Sequence, residues 1–157
     1  ATVFSGYWNA EETNANDFHG GWFRMGDLFR RNPDGTLDFV DRAKYMIKSG
    51  GENIYPAEIE RILLTHKLVS EAVVIKVKSL KWGESPIALV SVYKDDLQNK
   101  IKEDLFKMCK ADLATYKLPK KIIFYEEKNI PRSTTGKVQR HLVEDIILNH
   151  FKIKYIS

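Results

Sequence analysis

The chain has 157 residues, 43% of them hydrophobic and 29% charged, which is the balance of one globular domain with an appended piece and excludes a disordered or fibrous chain. No apolar run approaches the roughly 18 residues that a membrane-spanning helix needs. The net charge of +4 is compatible with nucleic acid, a phosphate-rich ligand or solubility alone, and does not choose between them.

Residues 1–21 are rich in aromatic and asparagine residues and poor in aliphatic ones. We therefore expect an irregular segment that leans on a larger structure. Residues 22–30 alternate loosely, and Asn-Pro-Asp-Gly at 32–35 is typical of a tight turn before a second extended run at 37–40. This pattern predicts a β-hairpin. The chain opens on Ala1 without a signal-peptide pattern, so we expect it to belong to a longer gene product.

The next segment predicts a loop and a helix. Paired glycines interrupt residues 48–53 and place a loop between two short extended pieces. Pro56 is expected to open a helix, with Glu58 and Glu60 in its first turn, where the positive end of the helix dipole favours carboxylates. The apolar face of this helix is predicted at Ile59, Ile62 and Leu63.

Two β-branched runs, at 73–77 and 87–93, predict neighbouring strands joined by a polar turn that contains Gly83 and Pro86. Asp95 or Asp96 is then expected to cap a helix with four inward positions. These positions are Ile101, Leu105, Met108 and Cys109, in a helix running to about Leu113.

A third strand is predicted at 121–125 and a loop at 129–136. The last helix is predicted from apolar residues at helical period, namely Val138, Leu142, Ile146 and Ile147. The order of elements predicts an α+β fold, a small mixed sheet with flanking helices.

The single cysteine, Cys109, lies among apolar residues at helical spacing, so we interpret it as a buried, inert thiol and the protein as one of a reducing cytosol. The four histidines form no zinc-type motif, and no protein-bound metal is expected. They are His19, His66, His141 and His150.

Three polar signatures follow one another along the chain. The first is Gly-Trp-Phe-Arg-Met-Gly-Asp-Leu at 21–28, the second runs from Asp-Arg-Ala-Lys at 41–44 through Gly-Gly-Glu-Asn-Ile-Tyr-Pro at 50–56, and the third is Pro-Arg-Ser-Thr-Thr-Gly-Lys at 131–137. Together they resemble the adenylate-forming superfamily, and most closely the carboxyl-terminal portion of its fatty-acyl and aryl-CoA ligases. The resemblance covers nearly the whole chain.

The resemblance implies a domain plan and an activity. Residues 1–43 would end the large ATP-binding and substrate-binding domain, Lys44 would be the hinge, and residues 45–157 would form the mobile cap. The whole protein would convert a long-chain or medium-chain fatty acid, ATP and CoA into acyl-CoA, AMP and pyrophosphate in the cytoplasm. Mg²⁺ would accompany ATP without binding to side chains of this chain. The missing amino-terminal domain would be the partner, and this piece alone would be inactive.

The resemblance also implies roles in nucleotide binding. Asp27 matches an aspartate that accepts hydrogen bonds from the ribose hydroxyls of ATP, a task that suits two carboxylate oxygens. Its alternative is a solvated hairpin residue. Arg42 matches a second nucleotide contact, and Met25 and Tyr45 depart from residues usual in the family.

The remaining roles concern the two half-reactions. Gly50 and Gly51 match a loop that borders the path of the pantetheine thiol, where backbone without Cβ lets a narrow arm pass. Lys48 matches a lysine near the adenylate, or is a solvated loop residue. Lys137 matches the lysine that reaches the substrate carboxylate and the α-phosphate, where an ammonium offsets charge repulsion; its alternative is a lysine at a helix start.

Tyr116 and Lys120 match a segment that lies against the nucleotide end of CoA in related ligases, by aromatic stacking and a phosphate contact. A carrier-protein pantetheine in place of CoA is the nearer alternative acceptor. A different class, a basic module that binds RNA or another polyanion, is compatible with the net charge, but no nucleic-acid signature is visible and no nucleic-acid partner is expected.

Overall fold

A computed structural model of the chain describes residues 4–93 and 98–156. The chain divides into two compact units, Ala1–Lys44 and Tyr45–Ser157. The division thus falls beside the residue that the sequence predicts as a hinge, although hinge motion itself stays a prediction. Asp95 and Asp96, the predicted helix caps, lie outside the described residues.

The first unit begins with short elements that the sequence did not predict. A helix, α1 (Glu11–Asp17), is followed by a two-stranded antiparallel ribbon of β1 (Phe18–His19) and β2 (Trp22–Phe23). The helix buries no residue, and Asn14 bonds both the N–H and the C=O of Tyr7, at 2.7 and 2.9 Å. The expectation of an irregular segment was therefore wrong for residues 11–19, where local hydrogen bonds and edge-on aromatic contacts replace an aliphatic core.

The predicted hairpin is present as β3 (Asp27–Arg31) and β4 (Leu37–Arg42), an antiparallel pair. The turn closes with a hydrogen bond from Asn32 N to Thr36 O of 2.9 Å, and Gly35 takes φ +87°, which only glycine adopts readily. The first predicted strand was too long at its start. Gly26, at φ +76°, separates β2 from β3.

The second unit is a six-stranded sheet with helices on both faces. Its strands are β5 (Ile47–Ser49), β6 (Glu52–Ile54), β7 (Val69–Ser79), β8 (Gly83–Val92), β9 (Lys121–Phe124) and β10 (Tyr155–Ile156), and its helices are α2 (Pro56–Leu63), α3 (Gln98–Asp112) and α4 (Arg140–Asn149). The sheet order is β10-β7-β8-β5-β6, with β9 also paired to β8. β9 and β10 run parallel to their neighbours and the other pairs are antiparallel, so the predicted α+β fold with a small mixed sheet is confirmed.

Two apolar clusters explain why the central strands are continuously hydrophobic. Val74 on β7 packs with residues of α2 and α3, whereas its neighbours Val73 and Ile75 pack with residues of α4. Successive side chains of a strand point to opposite faces, and both faces of this sheet are covered. The sheet is therefore the middle of three layers.

The two central strands, β7 and β8, are longer than predicted, and β9 is one residue shorter. β7 and β8 are joined by only residues 80–82, and Gly83 and Pro86 lie within β8 rather than in the turn. On its second edge β8 pairs with β5 at Gly83 and with β9 from Ile87 onward. Pro86 lies between these two pairings, where a missing N–H interrupts no ladder.

The helices also differ from the prediction in detail. Of the two acidic residues expected in the first turn of α2, only Glu58 lies there. The last helix begins at Arg140, so Val138 precedes it and forms a bridge with Arg132. Its buried residues are Val143 and Ile147, because the inward face is set by contact with the sheet rather than by the predicted start. Across residues 4–93 and 98–156, no helix is long and apolar enough to cross a bilayer.

Candidate functional site

The nucleotide-contact candidates in the first unit lie side by side. Asp27 and Arg42 are directly paired across β3 and β4, and Arg42 Nε is 3.0 Å from Asp27 Oδ1. The side chain of Asp27 is 19% exposed and that of Arg42 is 47% exposed. Oδ1 is buried, and the described residues give it no aligned hydrogen bond in spite of the short ionic contact. Arg42 therefore holds the Asp27 carboxylate in place, and a carboxylate offers two acceptor oxygens to ligand hydroxyls.

Lys44 lies in a one-turn 3₁₀ helix, Ala43–Tyr45, and is exposed. Ala43 N donates to Gly26 O at 2.8 Å, which fixes the chain to the first unit one residue before Lys44. The boundary between the two units follows directly. The predicted hinge residue is thus where the chain leaves one unit and enters the other.

The paired glycines form the two-residue turn between β5 and β6. Gly50 has φ +59° and Gly51 has φ +90°, and both are values that β-branched or bulky residues avoid. A Cβ on Gly50 would lie 2.7 Å from Cε3 of Trp82, whereas a Cβ on Gly51 would meet no atom within 4 Å. Gly50 is therefore a close-contact glycine, and Gly51 faces open space.

Trp82 is a residue to which the sequence prediction gave no role. Its carbonyl accepts the Gly50 N–H at 2.9 Å, its ring lies against Gly50, and the Lys81 ammonium is 4.7 Å from the ring centroid. Lys48, on β5, is also tied to β8: its backbone N–H donates to Glu84 Oε2 at 2.8 Å. The turn between β7 and β8 thus supports the Gly50–Gly51 turn, and only three-dimensional proximity shows it.

Lys137 lies on a separate, tightly bonded loop. Ser133 N donates to Lys137 O at 2.8 Å, Gly136 N to Ser133 O at 2.9 Å, and Lys137 N to Ser133 Oγ at 3.2 Å. The side chain is exposed, and in the described part of the chain its ammonium has no carboxylate partner. Lys137 is therefore not a helix-start lysine, since α4 begins only at Arg140.

Arg132 braces this loop, a role that the sequence prediction missed although the residue belongs to the third signature. Its guanidinium pairs with the carboxylate of Glu71 and donates to Gly136 O at 3.1 Å. Glu71 lies near the start of β7. The Lys137 loop is consequently anchored at that end of the strand.

The two candidate loops are anchored at opposite ends of β7. The Gly50–Gly51 turn adjoins Ser49, which pairs with Gly83, and Gly83 in turn pairs with Ser79 at the far end of β7. The eight residue steps from Glu71 to Ser79 span about 26 Å at the usual rise of a strand. The structure therefore separates Lys137 from the glycine turn rather than bringing them together.

The CoA candidates lie before β9. Tyr116, in the 3₁₀ turn Thr115–Lys117, is 39% exposed. Lys117 Nζ lies 2.8 Å from both carboxylate oxygens of Glu58 on α2, which ties the segment to that helix. Lys120 is exposed and donates its backbone N–H to Pro86 O at 2.8 Å. An aromatic face and an ammonium are thus available to a ligand on one short segment.

Two other groups take no part in this arrangement. Cys109 is fully buried, and burial, with a smaller effect of Asp112, raises the pKa of its thiol to about 11; its predicted burial is confirmed. Within residues 4–93 and 98–156, no group of three or more His, Cys, Asp or Glu side chains could hold a metal ion.

The sequence of the chain is similar to those of known proteins. Residues 58–137 match the family model of the AMP-binding enzyme C-terminal domain. The chain is 38% identical over 144 residues to the peroxisomal acetate/butyrate–CoA ligase AAE7 of Arabidopsis thaliana, covering 90% of this chain and 25% of that protein. It is 45% identical over 139 residues to the long-chain-fatty-acid–CoA ligase FadD13 of Mycobacterium tuberculosis, covering 88% and 27%.

Among solved structures, it matches the o-succinylbenzoate CoA synthetase of Bacillus subtilis in complex with its acyl-adenylate intermediate. The TM-score is 0.81 at 38% identity, over 91% of this chain and 28% of that one. The chain spans about a quarter of the length of the curated relatives it matches.

Proposed function

Because this chain belongs to the AMP-binding enzyme C-terminal domain family, we propose that it is the cap of an ATP-dependent acid–thiol ligase. In the first half-reaction a carboxylate oxygen attacks the α-phosphate of ATP, forming acyl-AMP and releasing pyrophosphate. In the second, the CoA thiol loses its proton and attacks the acyl carbon, and AMP leaves as the thioester forms. The relatives named above are CoA ligases, which supports this reaction class.

The observation that carries the proposal is the separation of the two loops along β7. A rigid cap whose Lys137 loop and Gly50–Gly51 turn are anchored about 26 Å apart can offer only one of them to a single reaction centre. The unit boundary at Lys44 supplies a place where a change in φ and ψ would exchange one loop for the other. The cap would therefore turn between the half-reactions.

Lys137 would act in the first half-reaction. Its exposed ammonium, on a loop held by Ser133 and Arg132, would lie between the attacking carboxylate and the α-phosphate. Both groups are anionic, so a cation placed there offsets the charge that builds up in the transition state. The carboxylate of Asp27, which is 19% exposed and paired with Arg42, would accept the ribose hydroxyls, since a carboxylate offers two acceptor oxygens, and Arg42 would be the second nucleotide contact.

The second half-reaction would use the opposite end of the cap. Gly51 faces open space, so a pantetheine arm could pass along the turn, while Lys48 on β5 would lie near the adenylate. Tyr116 would stack on the adenine of CoA and Lys120 would meet a phosphate. We further propose a medium-chain or long-chain fatty acid as substrate, which is supported by the 45% identity to a long-chain-fatty-acid–CoA ligase.

The test separates the half-reactions in the longer protein that carries this chain. Lys137→Ala should lower ATP–pyrophosphate exchange by about 10²–10³-fold, the usual effect of removing one preorganised charge-stabilising group, but spare thioester formation from supplied acyl-AMP. Lys128→Ala is the matched control, because Lys128 is also exposed and near in sequence but pairs with Glu126. Normal exchange in Lys137→Ala would refute the proposal.

The reciprocal variant is Gly51→Trp, which should block thioester formation and leave exchange intact. Its control is Gly35→Trp, because Gly35 has nearly the same φ, +87° against +90°, and an equally open Cβ position. Thioester release is measured with CoA and with a pantetheinylated carrier protein, which identifies the acceptor. Equal losses in both half-reactions would indicate misfolding or a fixed cap, and would count against alternation.

A further inference from the structure

Arg140, three residues after Lys137, makes a set of contacts that the proposed function does not use. Its guanidinium donates to Glu60 through both Nη nitrogens, with Nη2 2.7 Å from Oε2, and Nη1 also donates to the Val74 carbonyl at 2.7 Å. Glu60 Oε1 in turn accepts the Val74 N–H at 2.6 Å. The two side chains therefore bind both backbone polar groups of one residue of β7. This joins α4 and α2 to the centre of the sheet.

The pair is largely shielded from solvent. The side chains of Arg140 and Glu60 are 16% and 12% exposed. A shielded ion pair is a weak source of net stability, because desolvation offsets much of the attraction, but two parallel hydrogen bonds fix the direction of a guanidinium closely. The ion pair therefore acts mainly by fixing the position of the Arg140 guanidinium.

No side chain of the helix itself caps the start of α4. Arg140 is the first residue of the helix, Gln139 makes no side-chain cap, and the first turn holds no acidic residue of its own. A cation at a helix start is unfavourable beside the positive end of the dipole, and Glu60 from α2 supplies the missing negative charge. The helix start, and the chain leading back to Lys137, are thus held from outside the helix.

The same guanidinium also reaches the edge of the second unit. It lies 4.9 Å from the centroid of the Tyr45 ring, and Tyr45 is the first residue of that unit after Lys44. An arginine over an aromatic face is attractive and directional. One side chain therefore connects the residue after the predicted hinge with the segment that carries Lys137.

We propose that Arg140 is the positioning residue for Lys137, that Glu60 fixes it, and that Tyr45 makes the cap rigid from its first residue onward. Rotation of the cap would then occur only at Lys44, and the Lys137 loop would move with the cap as one rigid body. The catalytic role of Lys137 rests on the proposed function, whereas the coupling between Arg140 and the Lys137 loop is independent of it.

Amide hydrogen exchange on the full 157-residue chain tests the coupling. In Arg140→Met, the amides of Ser133, Gly136 and Gln139 should exchange at least about tenfold faster, while the β7–β8 ladder stays unchanged. Ile147→Val is the control, since Ile147 is a buried residue of the same helix outside the network. Unchanged exchange in the loop, or a uniform rise over the whole chain, would overturn the proposal. If Arg140→Met does not fold, Arg140→Lys, which keeps the charge but not the fork, decides the question.

Tyr45 is tested by a pair of variants. Tyr45→Phe keeps the ring under the guanidinium and should leave exchange at Gln139 as it is, whereas Tyr45→Leu should raise it by about threefold or more. Equal exchange in the two variants would remove Tyr45 from the proposal.

Kinetics in the longer enzyme provide the functional test. Arg140→Lys should lower adenylation by about 10-fold to 100-fold and leave thioester formation from acyl-AMP within about threefold. The double variant Arg140→Lys/Lys137→Ala should adenylate no more slowly than Lys137→Ala alone, because the side chain that Arg140 positions is already absent. Additive losses would overturn the proposal. A wild-type enzyme without adenylation activity would refute the proposed function instead, and the exchange data would still judge the coupling.

Discussion

Gly50→Ala is the substitution for which the structure gives the sharpest expectation. An L-residue in the left-handed region costs about 1–2 kcal/mol, and Gly50 lies there at φ +59°. The new Cβ would also lie 2.7 Å from Cε3 of Trp82, and overpacking of this kind costs about 1–3 kcal/mol. Gly51→Ala carries strain alone, since its Cβ meets no atom within 4 Å.

The difference between the two variants gives a first estimate of the cost of the ring contact. Loss of glycine entropy in the unfolded chain favours both alanines alike, by about 0.4–1 kcal/mol, and cancels in the comparison. Gly50→Ala should therefore lower the free energy of unfolding by about 1–3 kcal/mol more than Gly51→Ala. Urea unfolding followed by far-UV circular dichroism measures both values.

Trp82→Ala provides the internal check. In that background the ring is gone, and the cost of Gly50→Ala should fall to that of Gly51→Ala, which gives a coupling energy of about 1–3 kcal/mol in a double-mutant cycle. A coupling below about 0.5 kcal/mol would mean that the half-exposed indole swings aside easily. The inference that Trp82 supports the glycine turn would then be refuted.

Three further predictions follow from the two units and their buried groups. Limited proteolysis should cut first near Lys44, because Asp41 is the only buried residue within 4–44; mass spectrometry identifies the fragments, and earlier cleavage inside β7 or β8 would contradict this. At pH 8 the Cys109 thiol should react with iodoacetamide about 100-fold more slowly than in urea, since burial raises its pKa to about 11 and lowers the thiolate fraction. Glu144→Gln should raise Tm more at pH 7 than at pH 4. Burial raises the pKa of Glu144, so the stability that its protonated form provides is present at low pH and is lost as pH rises; equal Tm shifts in calorimetry at both pH values would refute this.

The candidate site was only partly predictable. The residue types of the three signatures pointed to Asp27, Gly51 and Lys137, and their local settings, a hairpin, a two-residue turn and a loop, follow from turn chemistry. Arg132 and Trp82 were missed because what they do depends on partners 61 and 32 residues away, Glu71 and Gly50. No local pattern carries that information.

The fold shows the same division. Periodicity determined α2 and α3 and the central strands, because each must place apolar side chains on a fixed face. Periodicity could not place the start of α4, since apolar Val138 fits a helix as well as a bridge. It also could not find β10, whose two residues become a strand only through pairing with Lys78 and Ser79.

The sequence by itself determined which residue types stand in each loop and therefore what chemistry each loop can perform. Only the tertiary structure decided that Arg132 anchors the Lys137 loop near Glu71, while Gly83 holds the glycine turn at the other end of β7. The physical reason is that a lysine's charge and a glycine's freedom are local properties, whereas their separation depends on strand pairings and ion pairs between residues distant along the chain.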